Sequence, residues 1–154
     1  MKYGPPDTNP INFYGNSEMQ IAARQALPIL IQLATDSTRP IITYGELAVE
    51  IGMEYMPGKL KNPIESLDAF RALWMRRPLG CIWQTLFEYQ QESNMEICTI
   101  PYLTTIVVNK GTDVPTIFRD FNWSDEKIRS ERDKVYKFED WTDVLEEIMS
   151  PYES

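Results

Sequence analysis

The chain contains no histidine. That absence excludes Ser-His-Asp and Cys-His nucleophiles, histidine-ligated zinc and H-E-x-x-H chemistry. Cysteine is scarce: only Cys81 and Cys98 occur, and they form no C-x-x-C pair. Two thiols cannot build a four-cysteine zinc site, and so low a count fits a reducing compartment. Both are expected to be free, buried thiols. Long apolar runs are missing too. The stretch from Ala22 to Ala34 is interrupted by Arg24, Gln25, Pro28 and Gln32, so no membrane span is expected. The opening MKYGPPDTNPINFYG has no apolar h-region, so it does not read as a signal peptide. The expectation is a soluble, cytoplasmic protein with no membrane partner.

What is present is ordinary globular material. The 154 residues are 43% hydrophobic and 25% charged, which suits one domain. A chain of this length buries roughly 70% of its extended surface without staples. A disordered tail, a collagen-like fibre and a disulfide miniprotein are thereby excluded. Fifteen Lys and Arg face 23 Asp and Glu, a net charge of -8. Such a surface repels a polyanion at long range, so non-specific nucleic-acid binding by the whole surface is not expected. The excess is uneven. The first forty residues are neutral, whereas from Phe121 to Ser154 five cations meet ten acids.

Residues 1–16 are rich in Pro and Gly and read as an extended arm, docked through Ile11, Phe13 and Tyr14. Ser17 with Gln20 is a capping-box pattern. Ala23, Leu27, Leu30, Ile31 and Ala34 then mark one helical face, which Pro28 is expected to kink or split. Pro40-Ile41-Ile42 reads as a short extended piece. Thr43 with Glu46 is a second capping box, Leu47, Ala48 and Ile51 form a buried face, and Gly52 is a left-handed stop. Met53 to Pro63 reads as a loop. Ser66 to Arg77 reads as a helix, and Pro78 as the first turn of another, with Leu79, Ile82, Trp83, Leu86 and Phe87 on its apolar stripe.

The character then changes. Leu103-Thr104-Thr105-Ile106-Val107-Val108 is β-branched and predicts a strand. Asn109-Lys110-Gly111-Thr112 predicts a turn, and Val114 to Phe118 the return strand, confined to an edge by Pro115. Ser124 is expected to cap a helix with Asp125–Arg129 and Asp133–Lys137 pairs, and Thr142 to cap a last one carrying Val144, Leu145 and Ile148 inward. Helices followed by a β-hairpin follow the winged-helix plan. The expected class is α+β, mainly helical: a winged-helix-like core over 17–120, an N-terminal arm over 1–16, and an acidic C-terminal helical extension over 121–154 packed on that core as a single domain.

Thr43-Tyr44-Gly45-Glu46-Leu47-Ala48 resembles the T-Y-G-E-[LI]-A segment of the alkylguanine-DNA alkyltransferases and alkyltransferase-like proteins. Arg71-Ala72-Leu73, Ile100-Pro101 and Val107-Val108-Asn109 are similar to further stretches of that family, within about Ile41 to Phe118. The resemblance implies a helix-turn-helix with a wing, and DNA as partner, read in the minor groove with a base held in a pocket. The family's nucleophile follows the proline of P-C-H-R. Here Pro101 is followed by Tyr102-Leu103-Thr104-Thr105, so alkyl transfer to a thiolate is not expected.

Lys59, Lys61, Arg71, Arg76, Arg77 and Lys110 are the candidate phosphate contacts, with Gln84 as a candidate reader of an adenine edge. On the acidic side, Glu139, Asp140, Asp143, Glu146 and Glu147 are the candidate docking face for a basic partner. Trp74 and Trp83 read as core; Trp123 and Trp141 read as staples preceding helices. No PD-x-E-x-K pattern marks a nuclease. No catalytic residue, metal site or cofactor is assigned. Two functions are carried forward: a non-enzymatic, accessory or regulatory winged-helix-like module on nucleic acid, and an immunity- or antitoxin-like acidic module that covers a basic protein. An enzyme ranks third and would require a deep pocket with converging carboxylates. Oligomeric state is not legible.

Overall fold

The computed structural model describes residues 11–52, 63–93, 95, 99–115 and 122–153, with side chains for all of these except 63–74 and 151–153. Helix α1 spans Glu18–Ala34. Its capping box forms from both sides, with Ser17 Oγ accepting from the Gln20 amide and Gln20 Oε1 accepting from the Ser17 amide. Ala23, Leu27, Leu30, Ile31 and Ala34 are buried as the periodicity predicts. Pro28 does not split the helix. It faces solvent, and the apolar face continues past it with Leu30, Ile31 and Ala34 buried.

Strand β1, Ile42–Thr43, leads into α2, Tyr44–Glu50. The second capping box also forms: Thr43 Oγ1 accepts from the Glu46 amide and Glu46 Oε1 from the Thr43 amide, both at 3.0 Å. Gly52 follows with φ +78°, the left-handed stop that a side chain would strain.

Helix α3 corrects an expectation. It is one helix of 30 residues, Pro63–Glu92, not two meeting at Pro78. The proline that takes the first helical position, where a missing N–H costs nothing, is Pro63. Pro78 lies inside, at a cost of about 3 kcal/mol in a helix interior. Packing against α1 and α2 overrides it. Met75, Leu79 and Ile82 are all buried around the proline, each contributing about 1.5–3 kcal/mol.

The predicted hairpin is a second correction. Leu103–Ile106 is a 3-10 turn, and only Val107–Val108 is a strand, β2. Strand β2 pairs in parallel with β1, in the register Ile42↔Val107 and Thr43↔Val108. The β-branched run reported burial rather than extension: Leu103, Thr104, Thr105 and Ile106 are all buried. Thr105 closes the turn locally, both its amide and its hydroxyl donating to the Tyr102 carbonyl, at 3.0 and 2.8 Å. The turn at Gly111 forms with φ +82°, and among the described residues the backbone bond that joins its two sides runs from the Asn109 amide to the Val114 carbonyl at 3.3 Å. Val114 and Pro115 are not in a strand, and Thr116–Phe118 lie outside the described residues.

Helix α4, Asp125–Lys137, is capped by Ser124 as expected, and Trp123 packs against the cluster of Ile128 and Val114. Helix α5 spans Trp141–Glu153 and starts one residue ahead of the expected cap. The Val144 amide bonds to the Asp140 carbonyl, so Thr142 lies inside the first turn. Trp141 fixes that start: it is fully buried and its indole N–H donates to the Val135 carbonyl at 2.8 Å. Helices α1 and α3 form the centre of the core, α2 lies on α3, α5 on α1, and the 3-10 turn between α1 and α4. Among the described residues no helix is long and apolar enough to cross a membrane.

Candidate functional site

An acidic cleft opens between the docked arm, α3 and α5. Thr85, Glu88, Tyr89 and Glu92 recur along α3 at spacings of one helical face. Glu147 and Ile148 of α5 line the opposite side, and Asn12 and Tyr14 close one end, around a cavity of about 630 Å³. The arm is seated firmly. Phe13 is fully buried, its amide donates to Thr85 Oγ1 at 2.9 Å, and the Tyr14 hydroxyl donates to the Ile148 carbonyl at 2.8 Å. Of the arm residues expected to dock, Phe13 is buried, whereas Ile11 and the ring of Tyr14 stay largely exposed.

The cleft's charge is not neutralised from within. Glu88 accepts from Asn12 Nδ2 at 2.8 Å and from Gln84 Nε2 at 3.3 Å. Glu147 accepts from the Tyr89 hydroxyl. These donors are uncharged. Among the described residues no Lys or Arg stands within ion-pair distance of Glu88, Glu92 or Glu147. The Glu147 carboxylate, chiefly through that hydrogen bond, holds the Tyr89 phenol above its ordinary value, with burial and Asp143 adding to the rise. No three Asp, Glu or Cys side chains among the described residues are grouped to hold a metal ion.

The acidic candidates divide. Glu147 lines the cleft and Asp143 is near enough to act on Tyr89, while Glu139, Asp140 and Glu146 are simply exposed. Glu88 and Glu92, with Tyr14 and Tyr89, were not singled out as site residues from the sequence. Their signal was there: two glutamates four apart on one helix face, with no cation at a matching spacing. Thr85 is buried, donating to the Cys81 carbonyl at 2.7 Å.

The basic candidates are less well assembled. Lys59 and Lys61 lie outside the described residues, as does the side chain of Arg71. Arg77 is exposed and Arg76 half-buried on α3, and Lys110 is exposed beside Gly111. Gln84, the candidate reader of an adenine edge, donates its Nε2 to Glu88 at 3.3 Å. Trp83 is only partly buried. It stacks on Phe87, with centroids 5.2 Å apart, and with Pro101 and Tyr102 walls a small cavity of about 60 Å³. Cys81 is buried as expected, and burial pushes its thiol up to about 11, which makes it unreactive; Cys98 lies outside the described residues.

Elsewhere the cations are engaged in the fold. Arg129 grips Asp113 in a two-pronged pair, Nε and Nη2 each at 2.9 Å, and the expected partner Asp125 adds the attraction of its charge. Asp133 pairs with Lys137 at 2.7 Å, as predicted, and with Arg39 at 2.6 Å. Arg132 is buried and donates to the carbonyls of Thr105 and Asp113. Comparison of the chain with protein-family models, curated proteins and solved structures gives no match.

Proposed function

We propose that this protein is a non-enzymatic binding module whose cleft receives a cationic side chain of a basic protein partner. The observation that carries this reading is the set of three glutamates, Glu88, Glu92 and Glu147, around one cavity with no described cation to neutralise them. A walled cleft of one sign of charge concentrates opposite charge and speeds encounter. The rings of Tyr14 and Tyr89 add faces on which a guanidinium is attracted by about 0.5–2 kcal/mol. Converging carboxylates are also what an enzyme would require, but Glu88 and Glu147 already accept hydrogen bonds from neighbouring side chains, which suits holding charge more than moving protons.

The test is calorimetric titration with a triarginine peptide across a range of salt. Binding should weaken as salt rises, and Glu92→Gln/Glu147→Gln should weaken it about ten-fold or more by removing two of three charges. Absence of binding at low salt, or binding indifferent to that double substitution, would overturn the reading.

A second reading keeps one specific support. The segments that resemble the alkyltransferase-like proteins, Thr43–Ala48 and Ile100–Asn109, are neighbours here, joined through β1 and β2. A winged-helix-like nucleic-acid module therefore stands as the alternative proposal. It predicts binding to DNA that falls steeply with salt and is lost on Arg76→Ala/Arg77→Ala.

A further inference from the structure

We infer that the arm segment Ile11–Asn16 is a strap that builds and regulates the acidic cleft, so that strap closure and ligand binding are coupled. The inference rests on the cationic-ligand reading above and goes beyond it to the control of that site. Two of the residues that line the cleft, Asn12 and Tyr14, belong to the strap and not to a helix. Their positions depend on anchors outside the cleft. Arg24, on α1, donates to the carbonyls of both Phe13 and Gly15. Gln20 Nε2 donates to the Asn12 carbonyl at 2.9 Å. Phe13 fills the core between these two grips.

A segment held by side chains rather than by a backbone ladder opens locally at lower cost than the helices around it. When it opens, the cleft loses the Tyr14 ring, the Asn12 amide on Glu88 and one of its walls. A ligand that contacts the closed cleft must therefore favour the closed strap, and the closed strap must favour the ligand by the same factor. Glu88 keeps acceptor capacity beyond the two amides it already serves, so an incoming guanidinium need not displace Asn12.

Gly15 gives an independent handle. A Cβ there would lie 2.3 Å from Gln20 Oε1, the side chain that also holds the strap and caps α1. Neither Arg24 nor Gly15 lines the cleft. Arg24→Gln and Gly15→Ala thus loosen the strap by different routes without touching the carboxylates.

The experiment follows hydrogen exchange of the Phe13 amide by NMR, with and without triarginine, and triarginine affinity in wild type and both variants. Saturating peptide should slow Phe13 exchange, by up to about 100-fold at a hundred times Kd. Each variant should weaken binding by roughly ten-fold, a typical coupling, while circular dichroism remains that of the wild type. Peptide that binds wild type while leaving Phe13 exchange unchanged, or that binds both variants as well as wild type, overturns the strap and leaves the cleft reading standing. Peptide that fails to bind wild type overturns the cleft reading, and the strap as its regulator falls with it. Should one variant lose its fold, the other variant and the wild-type exchange decide the matter.

Discussion

Around α4 acids and cations neutralise one another; around the cleft between α3 and α5, among the described residues, they do not. On α4, Arg129 holds Asp113, Lys137 and Arg39 hold Asp133, Lys134 holds Glu131, and Arg132 is drawn inside to cap two carbonyls. In the cleft, the donors to Glu88 and Glu147 among the described residues are neutral. The difference teaches what each charge is for. Where both signs are present, charge fixes loops and helices onto one another. Where one sign collects around a cavity, that charge is what the proposed cationic partner would meet.

The sharpest way to break this contrast is Arg132→Met. It leaves the Thr105 and Asp113 carbonyls without their donor and should cost about 2–4 kcal/mol, read from the urea midpoint. No substitution of a cleft glutamate should approach that loss. Glu92→Gln, which relieves a like-charge pair with Glu88, should be neutral or stabilising by up to about 0.5 kcal/mol in the same experiment.

Acid sharpens the contrast further. Hydrogen bonds from Arg129 hold Asp113 below the ordinary aspartate value of 3.8, and those from Lys137 and Arg39 do the same for Asp133. Both carboxylates are lowered in the folded state, so their contribution is full above 3.8 and is lost as pH falls through the lower folded values. Urea midpoints should fall with pH in that window, and Asp113→Asn/Asp133→Asn should flatten the fall. These pairs are exposed, so the effect should also shrink in high salt. The smallest expected effect lies at Tyr89. Its folded value is raised above 10, so its contribution persists below 10 and fades as pH rises through the higher folded value. Glu147→Gln should bring the Tyr89 titration down toward 10, followed by NMR of the ring.

Local chemistry was legible wherever its cause was local. Ser17 with Gln20 and Thr43 with Glu46 are satisfied within one turn, so four residues of sequence contained the whole interaction. Gly52 and Gly111 needed only their own lack of a side chain. The misreadings share a different origin. Pro78 read as a helix start because its local cost is plain, while the packing that absorbs it comes from α1 and α2. Residues 103–108 read as a strand because β-branched residues mark burial and strands alike.

The candidate site was half legible. Glu147 and Asp143 belonged to a visibly acidic C-terminus, whereas Glu88 and Glu92 looked like an ordinary solvated helix face.

The sequence by itself determined the caps of α1, α2 and α4, the stops, the apolar faces of α1 and α2, the excess of negative charge and the loss of every histidine-dependent chemistry, because each is a property of residues near one another or of composition. Tertiary structure alone decided that β2 pairs with β1, that Arg132 is buried, and that an arm, a long helix and a C-terminal helix enclose three glutamates. Those outcomes depend on which distant segments meet, as Phe13 meets Thr85 across 72 residues, and spacing along the chain carries no record of that meeting.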